Sequence, residues 1–214
     1  TGFAGLLANG TLQDGGAGFD HLLIRAANAA PLTAEVFNGL RNFEMLRLQA
    51  SNPALDFVVT LDAAAVAAFG QTIDLRLSGA RAVVDAAALG GTTRLTLVSG
   101  AGDDALTAGA GADRLRGGLG ADSIQGGAGD DSIRGDAGDD TLIGADTLEG
   151  GAGADTLDGG AGHDRLEGNA GRDVFILSTG LDRLMDFAPG EDRLDVSRFG
   201  LTEIDALRAV AVQV

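Results

Sequence analysis

Between Ser99 and Ile176 acidic side chains recur in one phase of a nine-residue phrase, at Asp104, Asp113, Asp122, Asp131, Asp140, Asp155, Asp164 and Asp173. Each is the sixth residue of G-G-x-G-x-D-x-U-x, of which Gly126-Gly127-Ala128-Gly129-Asp130-Asp131-Ser132-Ile133-Arg134 is a clean copy. This phrase reads as a calcium-binding turn followed by a short strand. Calcium is a hard cation that takes six to eight oxygen ligands, mixing carboxylates with backbone carbonyls. The repeat supplies both kinds. Its glycines allow backbone angles closed to other residues, so that carbonyls can turn inward with no Cβ in the way. The candidate ligating set is therefore the eight aspartates together with the turn residues Gly100, Gly102, Gly109, Gly111, Gly117, Gly118, Gly120, Gly126, Gly127, Gly129, Gly135, Gly138, Gly150, Gly151, Gly153, Gly159, Gly160, Gly162, Gly168 and Gly171.

The elements that must hold these turns follow from the eighth positions, Leu106, Leu115, Ile124, Ile133, Leu142, Leu157, Leu166 and Phe175. Each points one apolar side chain inward between two outward neighbours, as in Ser132-Ile133-Arg134. Strands that alternate between two sides of a solenoid place each turn against the turn two repeats on. One edge then carries Asp104, Asp122, Asp140, Asp155 and Asp173, and the other Asp113, Asp131, Asp146 and Asp164. After Leu142-Ile143 the segment Gly144-Ala145-Asp146-Thr147-Leu148-Glu149 is six residues long where nine are expected. The clipped turn should leave weaker or absent metal near Asp146 on the second edge.

Rungs lie about 4.8 Å apart, so stacked carboxylates without metal repel by roughly 1 kcal/mol per pair in water and by more where solvent is scarce. A site assembled from two rungs does not exist in the unfolded chain, which makes binding free energy into folding free energy. The chain is expected to be disordered at cytosolic calcium and folded at about millimolar calcium.

Composition agrees with a narrow solenoid. The 214 residues are 45% hydrophobic but only 4% aromatic, with neither Trp nor Tyr. The net charge of −16 argues against nucleic acid, whose phosphates need a positive surface. Zero Cys excludes disulfides and thiolate metal sites, leaving calcium as the staple. Neither a signal peptide at Thr1 nor an apolar run of 18 residues is present, so no transmembrane segment is expected. The lack of an initiator Met and the abrupt stop at Val214 read as a fragment of something longer.

Residues 1–98 lack the glycine rhythm yet keep period-two phrases, Phe57-Val58-Val59-Thr60-Leu61, Thr72-Ile73-Asp74-Leu75-Arg76-Leu77 and Thr93-Arg94-Leu95-Thr96-Leu97. Two echoing phrases put Asp62 and Asp85 23 residues apart, as in a metal-poor solenoid with longer coils. Short helical turns are expected at Ala63–Phe69 and Thr33–Asn42. One isolated nonapeptide, Gly15 to Leu23, adds Asp20 as a further candidate ligand. Residues 99–176 form the calcium-binding block and 177–214 a capping segment carrying Phe187 and Phe199, because an open last rung exposes its edge and core.

The nonapeptides resemble the RTX family of calcium-binding repeats found in proteins that Gram-negative bacteria secrete through type I systems. The resemblance implies an all-β fold, a parallel β-roll with calcium between successive turns, bound by the position-six Asp and by turn carbonyls. Ser99 and Ala108 at position one, and Asp136 and Asn169 at position two, depart from the pattern. The phrase from Asp182 through Asp186-Phe187 and Gly190 to Asp192-Arg193-Leu194-Asp195-Val196-Ser197 is similar to one that follows RTX blocks in serralysin-type proteases and mannuronan epimerases. Asn42-Phe43-Glu44-Met45-Leu46-Arg47-Leu48 looks more like bacterial S-layer proteins and RTX adhesins.

Two functions follow from these resemblances. The first is an extracellular structural module of an S-layer or adhesin at the bacterial cell surface, with calcium ions as ligands and neighbouring copies in a lattice or a cell-surface glycan as partners. The second is the accessory module of a secreted protease, lipase, epimerase or toxin. The sequence holds no H-E-x-x-H, no G-x-S-x-G and only His21 and His163, so no catalytic constellation is expected within it. His163, at position five of a turn, reads as a solvent-facing variable residue.

Overall fold

The computed structural model describes residues 13–14, 21–26, 40–41, 45–50, 56–62, 65–66, 71–78, 81–144 and 147–199. A short pair, β1 (Gln13–Asp14) with β3 (Leu40–Arg41), stands apart from two large parallel sheets. The nine-stranded sheet holds the even strands β2 (His21–Ala26), β4 (Met45–Ala50), β6 (Thr72–Ser78), β8 (Arg94–Val98), β10 (Arg114–Leu119), β12 (Ser132–Ala137), β14 (Thr147–Ala152), β16 (Arg165–Ala170) and β18 (Arg183–Leu184). The eight-stranded sheet holds the odd strands β5 (Asp56–Thr60), β7 (Arg81–Asp85), β9 (Ala105–Thr107), β11 (Ser123–Gln125), β13 (Thr141–Ile143), β15 (Thr156–Asp158), β17 (Val174–Ile176) and β19 (Arg193–Asp195). From β4 onward the chain crosses from one large sheet to the other at every turn, and each strand pairs in parallel with the strand two along. This is the β-roll expected from the alternating apolar phase.

Coil length falls from β4 onward, and the core explains why. In β5, β6 and β8 two or three side chains point inward, among them Phe57 and Val59, Ile73 and Leu75, and Leu95 and Leu97. Register offsets there are long, 25 residues from Thr60 to Asp85 and 22 from Thr72 to Arg94. From β9 onward a single apolar residue per strand fills the interior, in the order Leu106, Leu115, Ile124, Ile133, Leu142, Leu148, Leu157, Leu166 and Phe175, all buried. The offset settles at 18, as from Arg114 to Ser132. A single file of leucines encloses little apolar area, so these coils depend on their edges more than the wide ones do.

The three period-two phrases upstream are β5, β6 and β8. The echo between Asp62 and Asp85 is not a rung repeat, because Asp85 pairs with Thr60 at the end of β5 while Asp62 lies beyond that strand in a bend. Ala65 and Val66 are helical, with the Val66 N–H donating to the Asp62 carbonyl at 3.1 Å; the rest of Ala63–Phe69 lies outside the described residues. Thr33–Asn42 also lies outside them except at Leu40–Arg41, which is strand rather than helix. In the isolated nonapeptide His21–Leu23 begins β2, whereas Asp20 is outside the described residues.

The clip shortens one coil on both sheets at once. Ser132 pairs with Thr147 and Thr141 with Thr156, offsets of 15, after which the spacing returns to 18. At the far end β18, β19 and a 3-10 turn, Ser197–Phe199, close the roll. Phe187 packs edge-on against Phe175 with ring centroids 5.9 Å apart, sealing the last apolar layer, whereas Phe199 is 48% exposed.

Candidate calcium centres

The position-six aspartates immediately precede strands, and the parallel pairing stacks them into two ladders. On the first edge Asp122 Oδ1 accepts the N–H of Asp104 at 2.8 Å, Asp140 that of Asp122 at 2.8 Å, Asp155 that of Asp140 at 2.8 Å and Asp173 that of Asp155 at 2.9 Å. On the second edge Asp131 Oδ1 accepts the N–H of Asp113 at 2.8 Å. The two unequal edges expected from the repeat phase are therefore present, with Asp146 outside the described residues.

A ladder bond uses one carboxylate oxygen and leaves the other. The Oδ2 atoms of Asp113, Asp122, Asp140 and Asp155 are buried and have no hydrogen-bond partner. Burial without compensation is costly for a charge, and it pushes the carboxyls upward: Asp140 to about 7, Asp122 and Asp155 to about 6, each partly offset by its ladder N–H. Asp104, Asp113 and Asp173 move in the same direction, first because of burial. Near Asp104 the hydroxyl of Ser99, at position one, tempers the shift while donating to the Gly117 carbonyl.

What faces these oxygens is another oxygen. A Cβ built on Gly117 would lie closer than 3.0 Å to both Asp122 Oδ2 and the Gly135 carbonyl of the next rung. The same cradle recurs at Gly135 with Asp140 and Gly150, at Gly150 with Asp155 and Gly168, and at Gly126 with Asp131 and Gly144. At Gly117, Gly135 and Gly150 the position-one glycine thus keeps open a space where a buried carboxylate oxygen and a carbonyl oxygen converge without a donor between them. Position four does a second job: Gly120 holds φ at +117° and a Cβ there would strike the Gly102 carbonyl one rung back. Among the described residues no three His, Cys, Asp or Glu side chains gather to hold a metal. The donor set is carboxylate plus carbonyl, all oxygen, which fits a hard cation and not a soft one.

Residues 96–124, 117–145 and 143–175 match the four-copy pattern of the RTX calcium-binding nonapeptide repeat. Residues 96–175 are RTX repeats. No curated protein and no solved structure matches the chain.

The RTX residues Asp122, Asp140 and Asp155, with the carbonyls of Gly135, Gly150 and Gly168, would hold calcium, and the ion would supply the positive charge that their buried Oδ2 atoms lack; Asp131 and the Gly144 carbonyl offer the same pair of donor atoms. RTX turns elsewhere are less complete. Upstream the ladder positions pass to apolar residues, where the Ala82 N–H donates to Asp104 and the Leu95 N–H to Asp113, which ends the carboxylate stack at the wide coils. On the second edge, among the described residues, the atom nearest a Cβ on Gly144 is the Gly127 carbonyl at 3.5 Å, and on Gly160 it is Gly144 Cα at 3.8 Å. The bond from the Thr147 N–H to the Asp131 carbonyl stretches to 3.3 Å, against 2.7 Å for its counterpart from Thr156 to Asp140 on the first edge.

The position-two departures keep the RTX turn. Asp136 and Asn169 hold φ at +84° and +70°, the region that Asp and Asn tolerate better than other side chains. Asp136 is also gripped by Arg116 and Arg134. His163 is more than a variable surface residue, because its Nδ1 accepts the Leu181 N–H at 2.9 Å and ties the last turn of the second edge to the cap.

Sequence reasoning missed Asp182, Asp186 and Asp192. Asp192 Oδ1 accepts the Asp173 N–H at 3.0 Å and Asp182 Oδ1 the Asp164 N–H at 3.3 Å, so both ladders run into the cap. The signal that could have found these two is position: each immediately precedes a short strand, as position six does. The second oxygens in the cap differ from those of the repeats, since Asp192 Oδ2 accepts the Ala188 N–H at 2.8 Å and Asp186 takes the N–H groups of Gly168 and Asn169. Cap aspartates end the ladder on backbone donors.

Proposed function

We propose that the chain is the calcium-folded structural module of a secreted bacterial surface protein, of the S-layer or adhesin kind, that leaves the cell unfolded through a type I system and folds on meeting calcium outside. The observation that carries this reading is the row of buried Oδ2 atoms facing carbonyls across open cradles, at Asp122, Asp140 and Asp155 in succession. Without a cation this row opposes folding, and with one it holds adjacent coils together. No helix among the described residues is long and apolar enough to cross a membrane.

Calcium titration followed by circular dichroism tests the first half of the proposal. Chelated protein should lose most of its β signal, and millimolar calcium should restore it where equal magnesium does not, because magnesium demands a tight octahedral shell. Undiminished β-structure in excess chelator would refute it. Imaging the full-length parent with and without calcium tests the second half: calcium-dependent sheets support a surface lattice, and dispersed monomers with hydrolytic activity support an enzyme accessory module instead.

A further inference from the structure

Asp136 stands at position two of its turn, where Gly118 and Gly151 flank it in register on the neighbouring coils. It holds φ at +84°, and its carboxylate is taken from two strands. Arg116 on β10 grips it with two nitrogens, Nε on Oδ2 and Nη2 on Oδ1 at 3.2 Å, and Arg134 on β12 adds Nε on Oδ1 at 2.6 Å. Arg134 then reaches across the clipped coil to Glu149 on β14 at 3.3 Å. Elsewhere on this sheet Arg76 pairs with Asp74 and Arg165 with Glu167, each within its own strand. The four-charge chain runs beside the cradles. Arg116, Arg134 and Glu149 immediately precede Gly117, Gly135 and Gly150, and Asp136 immediately follows Gly135. Those three glycines wall the cradles of Asp122 and Asp140. The Gly135 carbonyl of the Asp122 cradle belongs to the peptide bond into Asp136, so fixing Asp136 fixes the direction of that carbonyl.

We infer that Arg116, Asp136 and Arg134 are positioning residues for calcium, holding the walls of the Asp122 and Asp140 cradles so that these two sites bind more tightly than the Asp155 site beside them. The inference rests on the reading of the chain as a calcium-folded module. Walls built of glycine backbone have no side chains of their own to lock them, and glycine has the most conformational freedom to lose. The ion pairs supply the lock. With the Arg116 and Arg134 side chains 56% and 50% exposed, solvent screens the pairs and they add little to global stability. Their local effect is larger, because removing a partner that orients a metal ligand without touching the metal typically weakens affinity by about 10–100-fold. The Asp155 cradle, between Gly150 and Gly168, lacks this bracing. The residues before its two glycines, Glu149 and Glu167, are like charges in register and cannot bridge it. Sign separates positioning from simple charge. Arg116 sets a positive charge near the cation, so by electrostatics alone its loss would tighten calcium binding, whereas by positioning its loss weakens it.

Amide NMR of the calcium-loaded chain at stepwise lowered free calcium tests this. The N–H groups of Asp104, Asp122 and Asp140 donate to the carboxylates of Asp122, Asp140 and Asp155, and so report the three cradles separately. In the parent the Asp104 and Asp122 signals should keep their loaded positions to lower calcium than the Asp140 signal. Arg116→Gln should raise the midpoint for Asp104 about tenfold and leave that for Asp140 within about twofold. Asp136→Asn, whose side chain still tolerates positive φ, should raise the midpoints for both Asp104 and Asp122. Arg114→Ser removes the same charge from the same strand, outside the chain of pairs, and should behave like the parent. A parent that fails to fold with calcium overturns the module itself. A parent that folds with equal midpoints for the three signals overturns only the positioning role, as does a midpoint for Asp104 that stays or falls in Arg116→Gln. Three signals that move together in that variant do the same, and where it fails to fold, Asp136→Asn decides by whether Asp104 and Asp122 move apart from Asp140.

Discussion

Asp155 Oδ1 accepts the Asp140 N–H at 2.8 Å across a coil of 15 residues, the same distance at which Asp140 meets Asp122 across one of 18. The first edge therefore passes the clip with its ladder intact. Strand register is preserved on both sheets, with offsets of 15 at the clip and 18 after it.

Replacing Asp140 with Asn separates the ladder from the metal. The amide oxygen can still accept the Asp122 N–H, but the buried charge is gone. The expected outcome is a metal-free form more stable than that of the parent, combined with calcium binding that is weaker and short by at least one equivalent. Calorimetric titration with calcium and chemical denaturation in chelator measure the two effects, and a variant that binds the full complement with parental affinity would remove Asp140 from the site.

A methyl group is enough to test the cradle. Gly135→Ala would drive a Cβ into Asp140 Oδ2 and the Gly150 carbonyl, whereas at Gly90 nothing lies within 4 Å of the position. Gly135→Ala should cost about 1–3 kcal/mol of calcium-loaded stability, on the scale of overpacking a filled interior, and Gly90→Ala should cost little. Equal melting temperatures for the two variants would show that the space beside Asp140 is not used.

Much of this architecture is legible in the sequence because the repeat writes position directly: aspartate phase predicts both edges, and apolar phase predicts the single-file core from Leu106 to Phe175. The upstream coils are harder to read, since their register is carried by two or three inward side chains per strand with no turn signature, and the 23-residue echo of Asp62 and Asp85 points to a coil length that the pairing does not have. The ladder's extension to Asp182 and Asp192 is hidden for another reason. Those turns keep only the position-four glycine, Gly180 and Gly190, both at positive φ, and close the second carboxylate oxygen on backbone N–H groups, so the full glycine pattern of a calcium turn is missing.

Acidity should act on the metal-free roll in a direction opposite to ordinary acid denaturation. Burial lifts Asp140 to about 7 and Asp122 and Asp155 to about 6, above the ordinary 3.8 that each has when unfolded. Below 3.8 both states are neutral at these positions. Between 3.8 and about 7 the folded form keeps protons that the unfolded form has released, so stability falls as pH rises through that window. In chelator the β signal should therefore grow as pH drops from about 8 toward about 5, while calcium affinity should fall over the same range because protons compete for the carboxylates. A metal-free signal that weakens on acidification would contradict the burial of these groups.

The last element to seat on the roll is held by charge. Arg198, in the turn after β19, reaches back 40 residues to Asp158, which is 8% exposed. Removing the guanidinium leaves that carboxylate sheltered beside β15 with only the Gly160 N–H at 3.2 Å to replace it. Because the arginine side chain is itself 47% exposed, solvent screens much of the pair, and Arg198→Ala should cost about 1–2 kcal/mol, below the range for fully buried pairs. The loss should be local. Amide exchange in calcium should speed up at Ile176, Leu177 and Asp195 near the closing strands and stay slow at Ile124 in the middle of the block, whereas uniform acceleration would mean that the cap governs the whole roll and not its final coil.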